Sequence, residues 1–452
     1  MGIELGAAAK FALKKNTNPW GGAALQLGAG DGIEFNSDSL KSNSELVSNN
    51  GITGSPFRRP GSSGARKPGG EVSFDLYYRD SLWRALAAVI GADAATLVVT
   101  GAYRHDLTAP VSPYTLANFS AAVTGSEVVR EMPSCKPTAF KLDWSESDQR
   151  GKASVNFVAH DLNYNAGSPD AVRVVANAAA ANGAKTLAAQ PATPSQITFT
   201  LTGVTELVTT LVGTDIDGIV RTEVHTRSTG TLTFLSAYIY KSVASITCAS
   251  ISGAGNFSAG VANGVNNQGT IGAIATDADR TPVLFSQVDF FINDQAGADF
   301  LASDEQFVSK LSVGLEIGLD QRITSEFGTR ISEPSYAGGG DVKVTFGLSF
   351  SAFTDKNRRF LYDQIGKSQL KAKLVFTGPM ISGSTVPYSL TVWLQGLQLG
   401  DGDINVGGFG VLPFDLSGEA RTVLAQPTGF PSGLVAPYMF QLVNGLSTSY
   451  LA

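Results

Sequence analysis

Gly69-Gly70-Glu71-Val72-Ser73-Phe74-Asp75-Leu76-Tyr77 is followed by a short stretch with helical spacing that ends at Ile90-Gly91. The same arrangement returns in the second half of the chain. There Gly339-Gly340-Asp341-Val342-Lys343-Val344-Thr345-Phe346-Gly347-Leu348 leads to a stretch ending at Ile365-Gly366. In both copies a glycine pair opens a strand whose first position is an acid. Val72, Phe74 and Leu76 point one way, and Glu71, Ser73 and Asp75 the other. Val342, Val344, Phe346, Leu348 and Phe350 likewise alternate with Asp341, Lys343, Thr345 and Ser349. Period two predicts a strand with one buried and one solvated face. Leu82, Trp83, Leu86 and Val89-Ile90 then form a helical apolar stripe. Asp80-Ser81 marks its start, and Gly91 suits the left-handed residue that ends a helix. Thr354 and Asp355 are the matching caps for a second helix carrying Phe360-Leu361 and Ile365. Two copies of one small β unit in one chain imply a duplication.

Further strands lie on both sides of these units. Thr96–Thr100, Phe140–Ser145 and Lys152–Ala159 follow the first, and Leu284–Ile292 and Leu311–Leu319 precede the second. Leu370–Phe376 and Tyr388–Leu397 come after it. Between the copies, from about residue 166, the composition shifts to Ala, Asn, Gly and Thr. Ile197–Thr202 alternates strictly, Asp215-Ile216-Asp217-Gly218 carries turn residues, and Thr231–Phe234 and Val243–Ala249 read as strands. Short strands at this spacing predict a β-sandwich over roughly 185–272. Residues 51–68 read as a loop rich in Gly, Pro and Ser with Arg58, Arg59, Arg66 and Lys67, and 322–335 as a polar loop with Arg322 and Arg330. Residues 1–50, without a strong period, and the last thirty, apolar with Pro427, Pro431 and Pro437, read as arms.

Composition narrows the function. Charged residues are 16% of the 452, against roughly 25% in typical soluble domains, and Gly numbers 50. That pattern fits a β-rich protein whose surface is covered by copies of itself, or an extracellular or virion β protein with polar uncharged surfaces. The net charge of −6 argues against a nucleic-acid binder, which needs a basic face. Cys135 and Cys248 form no CxxC pair and predict two buried free thiols. The first residues lack the apolar core of a signal peptide. No apolar run approaches the ~18 residues of a membrane helix, so a chain made in the cytoplasm with no membrane segment is expected.

Signs of catalysis are missing. None of His105, His160 and His225 lies within five residues of another His or of a Cys, so no sequence-local zinc site is expected. No Gly-x-Ser-x-Gly elbow and no Walker loop is present. No enzyme activity, cofactor or metal is expected.

The Gly51–Gly91 stretch, with its arginine-bearing loop, Gly-Gly-Glu-Val-Ser-Phe-Asp-Leu strand and Leu82–Ile90 helix, resembles tail tube proteins of long-tailed phages. The Leu311–Gly366 stretch, with Phe327-Gly328-Thr329-Arg330 and the second glycine-opened strand, resembles the second half of the two-lobed type. The 185–272 segment is similar to immunoglobulin-like modules of phage virion proteins through Thr202-Gly203, Asp215–Gly218 and Tyr240–Ala244. The resemblance implies a mainly β fold: two tail-tube β-sandwich or barrel domains, each flanked by a short α-helix, plus an inserted immunoglobulin-like sandwich. The implied domains are a first lobe with an N-terminal arm (1–165), a linker and sandwich insert (166–278), a second lobe (279–425) and a C-terminal arm (426–452).

Such domains form rings that stack into a channel, and three two-lobed chains would complete a pseudo-hexameric ring. The implied role is structural, in the virion tail: a conduit through which DNA passes without specific binding. The implied partners are copies of the chain and other tail proteins such as tape measure, terminator and tip. The polar strand faces would line the lumen, with Glu71, Ser73, Asp75, Asp341, Lys343 and Thr345 as candidates. A carboxylate-lined wall would repel phosphates. Arg58, Arg59, Arg66, Lys67 and Arg330 are candidates for intersubunit loops. The alternatives are a capsid decoration or adhesin-like β-sandwich protein and, behind it, a carbohydrate-active tail enzyme.

Overall fold

The computed structural model describes residues 9–451 apart from 22–24, 26, 50–58, 110–115, 125–127, 167–174, 180–181, 188–189, 192–195, 204–205, 216–217, 229–231, 239, 253–254, 262–274, 277–279, 320–332, 335–341, 404–411 and 435. Arg58, Arg330 and Asp341 lie outside the described residues, as does nearly all of the expected 322–335 loop.

The fold is mainly β. Strands β1 (Lys10–Lys15), β2 (Ala29–Ile33), β3 (Ser37–Asp38), β4 (Lys41–Asn49) and β5 (Arg59–Asp75) precede helix α1 (Leu82–Ile90). Then come β6 (Ala92–Val99), β7 (Ala102–Thr108), β8 (Phe119–Thr124), β9 (Val128–Ser145), β10 (Lys152–Ala159) and β11 (Asn163–Ala166). The middle of the chain holds β12 (Val175–Ala179), β13 (Gly183–Ala184), β14 (Ile197–Thr202), β15 (Glu206–Asp215), β16 (Val220–Ser228), β17 (Leu232–Leu235), β18 (Tyr240–Ser252), β19 (Asn256–Val261) and β20 (Ala275–Thr276). The last part holds β21 (Val288–Asp294), β22 (Lys310–Ile317), β23 (Val342–Phe350), helix α2 (Arg359–Gly366), β24 (Gln369–Met380), β25 (Pro387–Asp403), β26 (Phe414–Ala420) and β27 (Tyr438–Asn444).

Two compact units result, and each is discontinuous in sequence. The first gathers Met1–Gly32, Phe119–Ser134 and Asp161–Ala275; the second gathers Ile33–Asn118, Cys135–His160 and Thr276–Ala452. These boundaries cut across the expected 1–165, 166–278, 279–425 and 426–452 divisions.

In the first unit β1 pairs with β8 in register from Lys10↔Thr124 to Lys15↔Phe119. Phe11, Ala12 and Leu13 are buried, so this part of the expected N-terminal arm is an integral strand. Asn16 Nδ2 donates to Ser120 Oγ and to the Pro133 carbonyl, each at 3.0 Å, which satisfies a buried amide. Strands β12–β19 of the unit form the predicted sandwich. One sheet runs β12-β19-β14-β17 and the other β13-β18-β15-β16. Between them pack Ile197, Phe199, Leu201, Leu211, Phe234, Tyr240, Ile246 and Phe257. Strand β19, the last of the sandwich, sits between β12 and β14. The expected turn is present: Gly218 has φ 82, its N–H reaches the Asp215 carbonyl, and the Asp215 carboxylate accepts from the Ile219 N–H.

Glu223 is the polar anchor of this sandwich. Its carboxylate accepts from His225 Nε2, the Ala237 and Tyr238 N–H groups and the Tyr240 hydroxyl, all within 3.0 Å. Burial pushes the carboxyl up, but these hydrogen bonds outweigh it and its pKa lies below the usual glutamate value of 4.5.

In the second unit one run of antiparallel pairing starts with β3 and β4 on β5. It continues through β10, β9, β22, β23 and β26 to the C-terminal part of β25. A second run is β21-β24-β25-β27-β7-β6. Strand β25 belongs to both. The register shifts between Leu370 and Ala372 and between Leu399 and Gly402 mark where it bends from one run to the other. The two runs face each other across an aromatic core. Trp144 stacks on Phe376 at 4.6 Å, Phe140 meets Phe440 edge-on at 5.6 Å, and Phe290 lies 5.7 Å from Phe346.

The glycine pair that opens the first motif sits inside β5 and does not begin it. Residues 59–68, expected as loop, are strand paired with β4 from Asn49↔Arg59 to Ser42↔Pro68. Gly69 and Gly70 have φ 154 and 149. A Cβ on Gly69 would stand 2.3 Å from the Phe157 carbonyl oxygen, and one on Gly70 2.6 Å from that of Ser39. The pair lets β5 pass between two backbones where it exchanges partners.

The helices differ from each other. Every side chain of α1 except Arg84 is buried, Trp83 Nε1 donates to the Tyr77 carbonyl, and Gly91 closes the helix at φ 112. In α2 only Phe360 is buried. Thr354 and Asp355 do not cap it: the Thr354 carbonyl accepts from the Asn357 and Arg358 N–H groups, and that turn delays the helix to Arg359. Gly366 is the last helical residue, and the left-handed position falls to Lys367 at φ 50.

The expected C-terminal arm is part of this unit. Strand β27 lies between β25 and β7. Beyond it the buried Tyr450 donates its N–H to Asp93 Oδ2, and Asp93 also faces His105 Nδ1 at 3.2 Å. Asn444 Nδ2 reaches the Tyr450 hydroxyl at 2.9 Å. Proline at 427, 431 and 437 suggests an irregular tail, yet burial of Tyr438, Phe440 and Leu442 holds it down. A buried ammonium fixes the same segment. Lys371 Nζ donates to the carbonyls of Gly297, Ala298 and Thr428 at 3.0, 2.7 and 3.0 Å, using all three of its protons.

Two stability measurements follow. Gly70→Ala is expected to cost about 1–3 kcal/mol in urea unfolding. The sandwich is expected to lose stability as pH falls from about 4.5, because a carboxylate with a depressed folded pKa stabilises only while ionised. Glu223→Gln should flatten that acid limb, read by near-UV circular dichroism.

Candidate functional site

The apolar side of the longer run faces the core. Its opposite side is a polar surface whose composition is set by register. One row across the strands reads Ser73, Ser154, Lys141, Gly314, Thr345, Glu419 and Gln398. A second reads Asp75, Lys152, Asp143, Ser312, Gly347 and Ser417. A third reads Glu71, Asn156, Ala139, Glu316 and Lys343. A fourth reads Ser145, Lys310, Ser349 and Asp415. Two glycines leave room for hydroxyls on the facing strand: a Cβ on Gly314 would meet Thr345 Oγ1 at 2.5 Å, and one on Gly347 would meet Ser312 Oγ at 2.5 Å, so either hydroxyl would have to turn away.

The structure therefore brings Glu71, Ser73, Asp75, Lys343 and Thr345 onto one face, with Glu71 and Lys343 in one row and Ser73 and Thr345 in another. The face is not the carboxylate wall expected from two strands. Its rows hold Glu71, Asp75, Asp143, Glu316, Asp415 and Glu419 against Lys141, Lys152, Lys310 and Lys343. Like charges side by side on neighbouring strands repel, and the lysines relieve this. Lys141 Nζ is 2.8 Å from Asp143, Lys343 3.5 Å from Glu419 and Arg150 3.3 Å from Asp75; Lys152 pairs with Asp148. The lysines of β9, β10 and β22 were missed because their alternation is plain in the sequence but their row is not.

At the β25 end of the rows lies a shallow cleft of about 670 Å³. Lys343, Lys367 and Arg421 line it, with Glu419 the carboxylate among them.

The other expected cations take a different place. Arg66 and Lys67 lie opposite Ser44 and Asn43 in the β4–β5 hairpin. Arg59 is in β5, opposite Asn49.

Asp93 and His105 have the pairing of a catalytic dyad, but their side chains are fully buried. His105 Nε2 is taken up by the Leu446 carbonyl at 3.0 Å. Among the described residues no group of three or more His, Cys, Asp or Glu is placed to hold a metal ion, and no helix is long and apolar enough to cross a membrane.

A family model described as phage tail tube protein matches residues 6–260, more than half of the chain. The chain belongs to the phage tail tube protein family. No curated protein matches it. As a tail tube protein it is a structural component of the virion tail, from a family that assembles into a tube. The matched range of this tail tube protein takes in the first glycine-pair motif, α1 and the sandwich up to β19. Strands β21–β27 and α2 lie beyond it.

The paired charges on the polar face are solvent-exposed, and such pairs contribute about 1 kcal/mol or less. The double substitution Lys343→Ala with Glu419→Ala is therefore expected to move the urea midpoint only slightly. A large loss would show that these groups serve the fold and leave no room for a separate role.

Proposed function

We propose that the chain is a two-lobed tube subunit, three copies of which close a pseudo-hexameric ring. The rings stack into the conduit for DNA delivery. The observation that carries this reading is the pairing of β9 with β22. Strands β3–β4, β5, β10 and β9 make up one lobe's share of the long run, and β22, β23, β26 and β25 repeat the order in the second. Within each share an outer strand pairs with the glycine-motif strand, which pairs with the second strand of a hairpin. The last strand of the first share then pairs edge to edge with the first strand of the second. The chain thus contains, within itself, a join of the kind a ring needs between neighbours. Closing all such edges removes the liability of open strands, and stacking of rings is a heterologous contact that extends into a filament.

In this reading the polar rows line the lumen. Carboxylates outnumber lysines there, and three of the four lysines have a carboxylate beside them. Such a wall gains little from releasing phosphate counterions and lets a duplex slide. The sandwich of β12–β19 is an appended module, and the tape measure, terminator and tip proteins are the partners along and at the ends of the tube.

Negative-stain imaging of purified protein tests the proposal: rings or tubes with an open bore are expected, and a protein that stays monomeric at every concentration would sink it. The wall is tested separately. Glu71→Lys, Asp75→Lys and Glu316→Lys together should make assembled tubes retain duplex DNA at low salt, with retention falling steeply as salt rises. Tubes without these changes should retain none.

A further inference from the structure

We propose that the exposed face of α2, with the open edge of β25, is the surface on which a second copy of the chain seats its residues 34–40. This rests on the tube reading and adds the residues that make the contact. The internal join is the template. There β22 pairs along β9 from Lys310↔Ser145 to Glu316↔Ala139, and α1 packs against β22. The helix of the first share thus covers the strand that the second share adds. In that setting every α1 side chain except Arg84 is buried.

Helix α2 packs against β25, the counterpart of β9. Its cover is missing in a single copy. Tyr362 and Ile365, three residues apart and so on one helical face, are 68% and 78% exposed. On β25, pairing with β24 ends at Gln398, while pairing with β26 continues to Asp403. Among the described residues no strand pairs with the other edge of 399–403. Strand β3 is the complement. It pairs with β5 on one edge, Ser37 with Ser73 and Asp38 with Val72, and no described strand pairs with its other edge. It occupies on β5 the place that β22 occupies on β23.

Charge agrees with the pairing. The cleft beside the open edge of β25 is lined by Lys343, Lys367 and Arg421 with the single carboxylate Glu419. The segment that would seat beside it, Glu34-Phe35-Asn36-Ser37-Asp38-Ser39-Leu40, carries two carboxylates and no cation; of the two, Glu34 also pairs with Arg280 of its own copy. Complementary sign steers and registers such an encounter. The apolar face of α2 then gives it area to bury.

The test compares three proteins. Tyr362→Glu with Ile365→Glu changes only exposed side chains. It should leave the circular dichroism spectrum and unfolding midpoint of the monomer unchanged, and reduce assembled protein at least about tenfold. Val220→Glu, at another exposed apolar position on the sandwich, should assemble normally. Ser37→Cys with Gly400→Cys, treated with a short bismaleimide, should give covalent dimers and trimers in denaturing gels. Native Cys135 and Cys248 are buried and should not react. If the unaltered protein forms rings but the glutamate variant assembles equally well, or the cysteine pair links no neighbours, this inference is overturned while the tube reading stands. If the unaltered protein forms no rings, both fall.

Discussion

The pairing of β9 with β22 is the constraint on which the second unit depends. Residues 139–145 and 310–316 meet edge to edge, although more than a third of the chain lies between them. Once they pair, the rows of polar residues become continuous and the apolar residues of both strands fall on one side. A slip of one residue would turn every one of those side chains to the wrong face. Burial of Phe140, Leu142 and Trp144 alongside Leu311, Val313 and Leu315 therefore fixes the register of the whole polar surface.

That surface is held at both ends by features that do not touch it. At one end Gly69 and Gly70 allow β5 to change partners without a break in the strand. At the other, the bulges of β25 let a single strand serve both runs. Behind the surface two sets of buried polar groups are fully engaged. Lys371 gives its three protons to three carbonyls, and the groups of Asp93, His105, Asn444 and Tyr450 satisfy one another. A buried group left without a partner would cost more than its bond returns. These networks are accordingly locks on the loops and on the C-terminal segment, and the Asp93–His105 pair is buried within one of them.

Much of the local structure was legible. Lys152–Ala159 and Ile197–Thr202 were read as strands with the bounds they have, because strict alternation leaves little room for another reading. Gly91 was legible as a helix end for a similar reason. Residues 59–68 were misread because Gly, Pro and Ser in a row resemble a loop, while a long partner strand can still hold them extended. Strand β27 was misread because its flanking prolines outweighed, in the sequence, an apolar alternation whose partners lie in β7 and β25. Lys367 shows the limit of propensity: the helix takes in its glycine as the last helical residue, and a lysine took the left-handed conformation.

The amino-acid sequence by itself determined the alternation of each strand and the two glycine-pair motifs with their helices. These are local properties, set by which side chains follow one another. Only the tertiary structure decided which strands are neighbours. It placed the lysines of β9, β10 and β22 among the acids of β5, made that polar face mixed in charge, buried α1 and left α2 bare. Neighbour choice depends on which apolar faces can close on one another across hundreds of residues, and no short window of sequence carries that information.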